Sequence, residues 1–368
     1  LGFRTMLRLT VLALFLLSLP MDANAAPSIT AEAAVLVDRD TGQVIWAKNP
    51  DRRMNPASLT KIMTGLLAVE EGNPTDTVTV SKHADLVWEG QVIGLNAGDR
   101  LPLLDLMRAA LIYSANDSTV AIGEHIAGTE ARFLELMNLK ARLLGTTGTR
   151  YANTNGYTDP NHYTTARDLA IITRFALTRP LFAEVVRTPA AVLHWIGTSK
   201  QLEIYTTNRL LGGYAGLHGV KTGTTGAAGR CVVVTAARDN HRLIAVVLRS
   251  GDRWGDAARL LDSGFYEAED VLVGERNATL AAVPVTEGRE AAVPVVLSQD
   301  VVLRLLPEDL KDLRRSFHLA ETGQAPVREG TVLGEVVFSL RGSELARSPL
   351  VAARTVERKT FWQRFRAG

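Results

Sequence analysis

Asn55-Pro56-Ala57-Ser58-Leu59-Thr60-Lys61 sets a serine three residues ahead of a lysine, where an apolar periodic run begins. Pro56 suits a first helical position, where its missing N–H costs nothing. Asn55 before it is a good N-cap. Beyond it Leu59, Ile62, Met63, Leu66, Leu67 and Val69 recur at helical spacing. Residues three apart share a helix face, so the Ser58 hydroxyl and the Lys61 amine are expected to meet, as a nucleophile and its base must. As the third helical residue, Ser58 has a backbone N–H without an intrahelical partner. That donor, helped by the helix dipole, suits an oxyanion, provided that Asn55 caps Ala57 instead. Ser-x-x-Lys alone is a common pattern of solvated helix faces, so the rest of the chain decides.

Around it lie 368 residues, enough for two or three domains, with 46% hydrophobic and 22% charged residues, a globular composition. A net charge of +2 gives no reason to expect nucleic acid. The single cysteine, Cys231, excludes an intramolecular disulfide and any multi-cysteine metal site. It sits in Cys231-Val232-Val233-Val234 and reads as a buried strand residue. The histidines show no metal-binding spacing, and Gly145–Gly148 lacks the Gly-Lys-Ser/Thr ending of a phosphate loop, so neither metal nor cofactor is expected.

Residues 1–25 read as a secretory signal peptide: Arg4 and Arg8, an apolar run from Leu9 to Leu19, then Ala23-Asn24-Ala25 as the cleavage signature. Leu1 leaves Met6 as the alternative start. The mature chain is expected outside the cytoplasm, peripheral to the periplasmic face of the inner membrane.

Ala33–Val37 and Gln43–Ala47 read as a hairpin around Asp38–Gly42. Short strands are expected at Val78–Val80 and Val92–Leu95, and helices over Leu103–Ile112, after Tyr113–Asp117 through Ile122 and Ile126, and over Glu130–Leu144. Residues 145–163 read as loop. Thr165-Ala166-Arg167-Asp168 resembles a capping box opening the helix Leu169–Leu177. Gly216–Thr224 leads into a hairpin of Cys231–Ala237 and Leu243–Arg249, and a helix from Arg253 to Leu261 follows. Strands at both ends with helices between them indicate a mixed α/β or α+β domain over residues 26–270, of which α+β is the fold class expected. From 271 to 350, short β-like runs at Val271–Val273, Thr279–Val283, Ala292–Leu297, Val301–Leu305 and Val332–Leu340 read as a small all-β module. Residues 351–368 read as a basic tail with Phe361, Trp362 and Phe365 among Arg354, Arg358, Lys359, Arg364 and Arg366. A short amphipathic helix of this composition lies on a membrane surface.

Ser58-x-x-Lys61 is followed in order by Ser114-Ala115-Asn116 and Lys221-Thr222-Gly223. Closely similar motifs are known from penicillin-binding proteins and class A β-lactamases. With Pro56–Thr64 and His162–Asp168, they make the chain resemble the low-molecular-mass penicillin-binding proteins that act as serine D-alanyl-D-alanine carboxypeptidases. The resemblance implies a penicillin-binding/β-lactamase-like catalytic domain, a peptidoglycan stem peptide as substrate and β-lactams as acylating inhibitors. It also implies that Ser58 is the nucleophile and that Ser58 and Thr224 N–H form the oxyanion hole. On chemical grounds Lys61 must be neutral to take the serine proton, and burial with a second cation, Lys221, would keep it so. Ser114 suits proton relay to the leaving amine, and Asn116 suits holding Lys61 or the substrate amide. Lys221 and Thr222 suit a terminal carboxylate, and Gly223 admits close backbone approach.

Two other readings compete. A class A β-lactamase would carry Glu-x-x-Leu-Asn between residues 145 and 190, yet Glu184 is followed by Val185-Val186-Arg187-Thr188. A non-catalytic wall-binding protein on the same fold would not need the intact serine and both lysines. Endopeptidase action on cross-linked peptides uses the same residues.

Overall fold

The structure is a computed structural model that describes residues 27–360. The expected signal peptide and the Phe361–Phe365 aromatic cluster lie outside the described residues.

A five-stranded antiparallel sheet supports the N-terminal half. Its order is Val44–Lys48, Ala33–Asp38, His241–Ser250, Gly229–Arg238, Leu217–Thr225. The first strand of the fold therefore pairs with the last hairpin, with Val35 opposite Val246 and Leu36 opposite Ala245. Alternate side chains leave a strand on opposite faces, and both faces here are covered. Val35, Val37, Val233, Ile244 and Val246 join one core with the helices Lys61–Glu71 and Ala166–Ala176. Ala34, Leu36, Val232, Val234 and Val247 join a second with Ala257, Leu260 and Leu261 of the helix Arg253–Asp262. Double coverage explains why Leu243–Leu248 reads as one unbroken apolar run rather than an alternating one. Cys231 is buried in the strand Gly229–Arg238, as its context indicates.

A helical layer caps one face. Leu103–Arg108 passes into a π-helical turn, Ala109–Tyr113, which ends at Ser114 in the left-handed region (φ 78°). Asp117–Ala127 and Glu130–Leu143 follow. Thr165 caps the Ala166–Ala176 helix by accepting from Asp168 N–H at 3.0 Å. The box is only half made, because the Asp168 carboxylate turns away to Gly148 N–H and Thr149 Oγ1.

Several expectations change. Asn55 does not cap the Ser58 helix. Ala57 has φ 50°, a short 3₁₀ turn covers Ala57–Thr60 and the α-helix runs Lys61–Glu71. Thr60 Oγ1 donates to the Ala57 carbonyl and stabilises this tight turn. Val92–Leu95 is not a strand, because the buried Asp117 carboxylate takes the N–H groups of Ile93 and Leu95 that a strand partner would need. Ala190–His194 and Gln201–Tyr205 form a hairpin without a clear sequence signal.

The β module holds a six-stranded sheet ordered Leu313–Leu319, Val332–Leu340, Ser343–Ala352, Ala292–Leu297, Thr279–Thr286, Gly323–Gln324. Glu269–Gly274 pairs with Val301–Leu305 beside it. Leu313–Leu319 escapes sequence reading because it is an edge strand, exposed along most of its length. The expected tail also begins too early. Residues after 350 stay on the module: Ser343–Ala352 is a strand, Val356 bridges Val327 and Arg358 bridges Gly288. Val356 is buried and Arg358 pairs with Glu287, so packing and an ion pair hold on the module what charge alone suggested was tail. The two halves meet at buried Arg304. Its backbone exchanges hydrogen bonds with the Gln43 side chain at 2.6 and 2.9 Å, and its guanidinium donates to the Gly264 carbonyl and Asp270.

Candidate active site

The turn Ala57–Thr60 sets Ser58 at the mouth of a cleft and leaves Lys61 fully buried behind it. Lys61 Nζ lies 2.9 Å from Ser58 Oγ, 2.6 Å from Asn116 Oδ1 and 2.8 Å from the Asn155 carbonyl. Two of these partners are carbonyl oxygens, which only accept. A neutral amine has two N–H donors and one lone pair, so its donors are taken and its lone pair is left for the Ser58 hydroxyl. The amine is held well below the usual lysine range, mainly by burial and then by Lys221, with Asp117 opposing. Asp117 is itself pushed up by burial, against the backbone N–H groups that it accepts.

The Ser58 turn is braced from below. His162 Nδ1 accepts from Ala152 N–H at 3.0 Å, so the ring proton sits on Nε2, 2.8 Å from Thr60 Oγ1. Thr60 Oγ1 in turn donates to Ala57. Burial pulls His162 down to about 4, which keeps this neutral tautomer through the neutral range. Glycines admit the walls. A Cβ on Gly156 (φ 98°) would stand 1.9 Å from the Ala57 carbonyl, and one on Gly223 would stand 3.0 Å from Ser58 N.

The cleft, about 320 Å³, is lined by Ser58, Ser114, Asn116, Thr222, Gly223 and Thr224 among others. Six of the eight residues singled out from sequence thus share one wall or another, and Lys61 backs them. Lys221 lies behind Thr222: it is buried, its Nζ donates to the Thr222 carbonyl at 3.0 Å, and burial with Arg253 brings it down to about 7. Thr222 Oγ1 lies 2.6 Å from Thr207 Oγ1.

The cation on the cleft wall is Arg253, which sequence reasoning passed over. Its guanidinium donates to the Gly223 carbonyl at 3.0 Å and Thr224 Oγ1 at 2.8 Å, and lies over the Trp254 ring. It opens the helix Arg253–Asp262, with Asp252 as the N-cap. Nothing local marks it, because its partners Gly223 and Thr224 lie 30 and 29 positions earlier in the chain. Asn155, Gly156 and Tyr157 were hidden in the same way, inside a stretch legible only as loop.

The model of the D-alanyl-D-alanine carboxypeptidase family matches residues 21–251, and that of the penicillin-binding protein 5 C-terminal domain matches residues 269–358. The chain is 34% identical over 340 residues to D-alanyl-D-alanine carboxypeptidase DacF of Bacillus subtilis, covering 90% of this chain and 87% of the relative. It is 32% identical over 354 residues to DacC of Escherichia coli, covering 92% and 87%. Among solved structures, penicillin-binding protein 5 of Haemophilus influenzae superposes with a TM-score of 0.68 at 30% identity over 90% of this chain and 99% of that one. The carboxypeptidase DacD of Francisella tularensis gives 0.71 at 26% identity over 91% and 96%. The order of the three motifs, the lysine held against the serine and likeness across both halves lead to one conclusion: this chain belongs to the D-alanyl-D-alanine carboxypeptidase family.

Proposed function

We propose that the protein removes the terminal D-alanine from peptidoglycan stem peptides through an acyl-enzyme on Ser58. The observation that carries this reading is the three-partner environment of Lys61, which leaves a lone pair for Ser58 Oγ. Lys61 takes the hydroxyl proton as Ser58 Oγ attacks the carbonyl between the two D-alanines. The N–H groups of Ser58 and Thr224 receive the oxyanion. Gly223 brings that strand against the Ser58 turn. Ser114 passes the proton to the leaving amine, the C–N bond breaks and D-alanine departs. Water, activated by the same amine, then releases the shortened peptide.

The terminal carboxylate falls to Arg253 and Thr222. Arg253 carries a planar fork suited to a carboxylate, and both residues line the cleft. Lys221, buried behind Thr222, supplies field rather than grip. A β-lactam acylates Ser58 by the same attack. The leader pattern at residues 1–25 supports export, and the basic aromatic residues after 360 support attachment to the outer face of the membrane. Among the described residues no helix is long and apolar enough to cross a membrane.

Mass spectrometry after penicillin tests the reading, alongside release of D-alanine from a pentapeptide ending in D-Ala-D-Ala. A stable adduct on Ser58, lost in Ser58→Ala, is expected together with D-alanine release. Release without the serine, or none from the wild type, overturns it. An adduct that hydrolyses within seconds would favour the β-lactamase reading.

A further inference from the structure

Asn116 has two orientations of nearly equal shape, and only one serves Lys61. With Oδ1 towards Lys61, the amide accepts an N–H and leaves the amine lone pair for Ser58. With Nδ2 there instead, the amide would donate into that lone pair. The choice is made one shell out. Asn116 Nδ2 donates to the Glu89 carbonyl at 2.9 Å, and Asn116 N–H donates to the Gln91 carbonyl at 2.7 Å. The segment Glu89-Gly90-Gln91 is therefore a strap across Asn116. Gly90 (φ 74°) lets it lie that close, for a Cβ there would stand 2.8 Å from Asn116 Nδ2.

The strap needs its own anchor. Leu86 and Trp88, just before it, are 72% and 76% exposed, so little packing holds that approach. The second lone pair of the Glu89 carbonyl accepts the Tyr157 hydroxyl. Tyr157 belongs to the loop whose Asn155 carbonyl takes another Lys61 N–H. One hydroxyl thus ties the loop that supplies one carbonyl partner of Lys61, Asn155, to the strap that orients the other, Asn116.

We infer that Tyr157 is a positioning residue for acylation: its hydroxyl latches the Glu89 carbonyl, and the latched carbonyl keeps Asn116 Oδ1 turned towards Lys61. As a statement about the acylation rate, this rests on the function proposed above. As a statement about Lys61, it does not. Lys221 and Asp117 act on Lys61, Lys61 acts on His162, and Glu89 and Asp117 act on Tyr157; Tyr157→Phe leaves all of these side chains in place.

The test is Tyr157→Phe, read in two ways. First, the rate of penicillin acylation is followed across pH. The plateau should fall about tenfold, the scale of one lost hydrogen bond. The acidic limb should move to lower pH, since a carbonyl dipole less firmly aimed at Lys61 favours its ammonium form less. Second, lysine is labelled with ¹³C at Cε and the Lys61 resonance is titrated by NMR. Its midpoint should fall in the variant. Gly90→Ala, which pushes the strap off Asn116 with Tyr157 intact, should reproduce both changes. An unchanged Lys61 midpoint and acylation profile in Tyr157→Phe overturns the latch, even if melting falls or Gly90→Ala is impaired. Wild type that is not acylated overturns the proposed function, while the NMR titration still decides the latch.

Discussion

At the scale of single residues, the field and the carboxylate grip that sequence reading gave to Lys221 divide, in the function proposed here, between buried Lys221 and Arg253 on the cleft wall. The Lys61 pKa is lowered chiefly by burial, with Lys221 second. Lys221→Met removes a neighbouring cation, so the Lys61 pKa should rise. The acidic limb of kcat/KM should then move up by about one pH unit, equivalent to ~1.4 kcal/mol. A pH–rate profile of the variant checks this, and an unmoved limb would remove Lys221 from the electrostatics of the base. Arg253 is the cation on the cleft wall. Arg253→Leu should raise KM for D-Ala-D-Ala peptides roughly 10- to 100-fold, the worth of a charge-assisted hydrogen bond. It should leave acylation by a substrate amide lacking the carboxylate nearly unchanged. Equal losses on both substrates would deny it the carboxylate.

At the scale of elements, Ser58 rests on a strained turn rather than on a capped helix. Ala57 is left-handed and Gly156 lies against its carbonyl. His162 holds the turn through Thr60, and its depressed pKa makes that support depend on pH. The unfolded ring titrates near 6.5 and the folded ring at about 4. Between those values the unfolded chain binds a proton that the folded one refuses. Stability from His162 is therefore whole above 6.5 and declines as pH falls to about 4, by up to ~3 kcal/mol. Melting temperatures of the wild type and His162→Gln across this range check it. The variant should be less stable near neutrality and flatter towards acid.

At the scale of the molecule, the boundary at the end of the chain matters most. The strand Ser343–Ala352 and the bridges of Val356 and Arg358 belong to the β module. Truncation after Thr360 should leave melting and activity on a soluble peptide intact while releasing the protein from membranes. Truncation after Val351 should also strip Val356 from the core and lower the melting temperature of the module by several degrees. Calorimetry and membrane fractionation of the two variants separate anchor from fold, and a Thr360 truncation that stays membrane-bound would place the anchor elsewhere. Arg304 joins the halves through Gln43 and Gly264. No periodicity announces that join, because the partners lie far apart in the chain.

What the sequence determined by itself was everything encoded in neighbouring positions. Periodicity wrote most of the helices, though not Pro180–Arg187, unbroken apolar runs wrote the doubly covered strands, and three short motifs wrote the family resemblance. Ser58 and Lys61 were legible together because three residues of near-helical turn bring them together under any cap. The tertiary structure alone decided what depends on meeting across distance. Arg253 reaches back to Gly223, Asn155 and Tyr157 rise from a loop to close around Lys61 and Glu89, and Asp117 takes up the backbone donors of a would-be strand. These contacts are made by burial and by the demand that buried donors find acceptors, a condition satisfied over the whole fold and written in no single stretch of it.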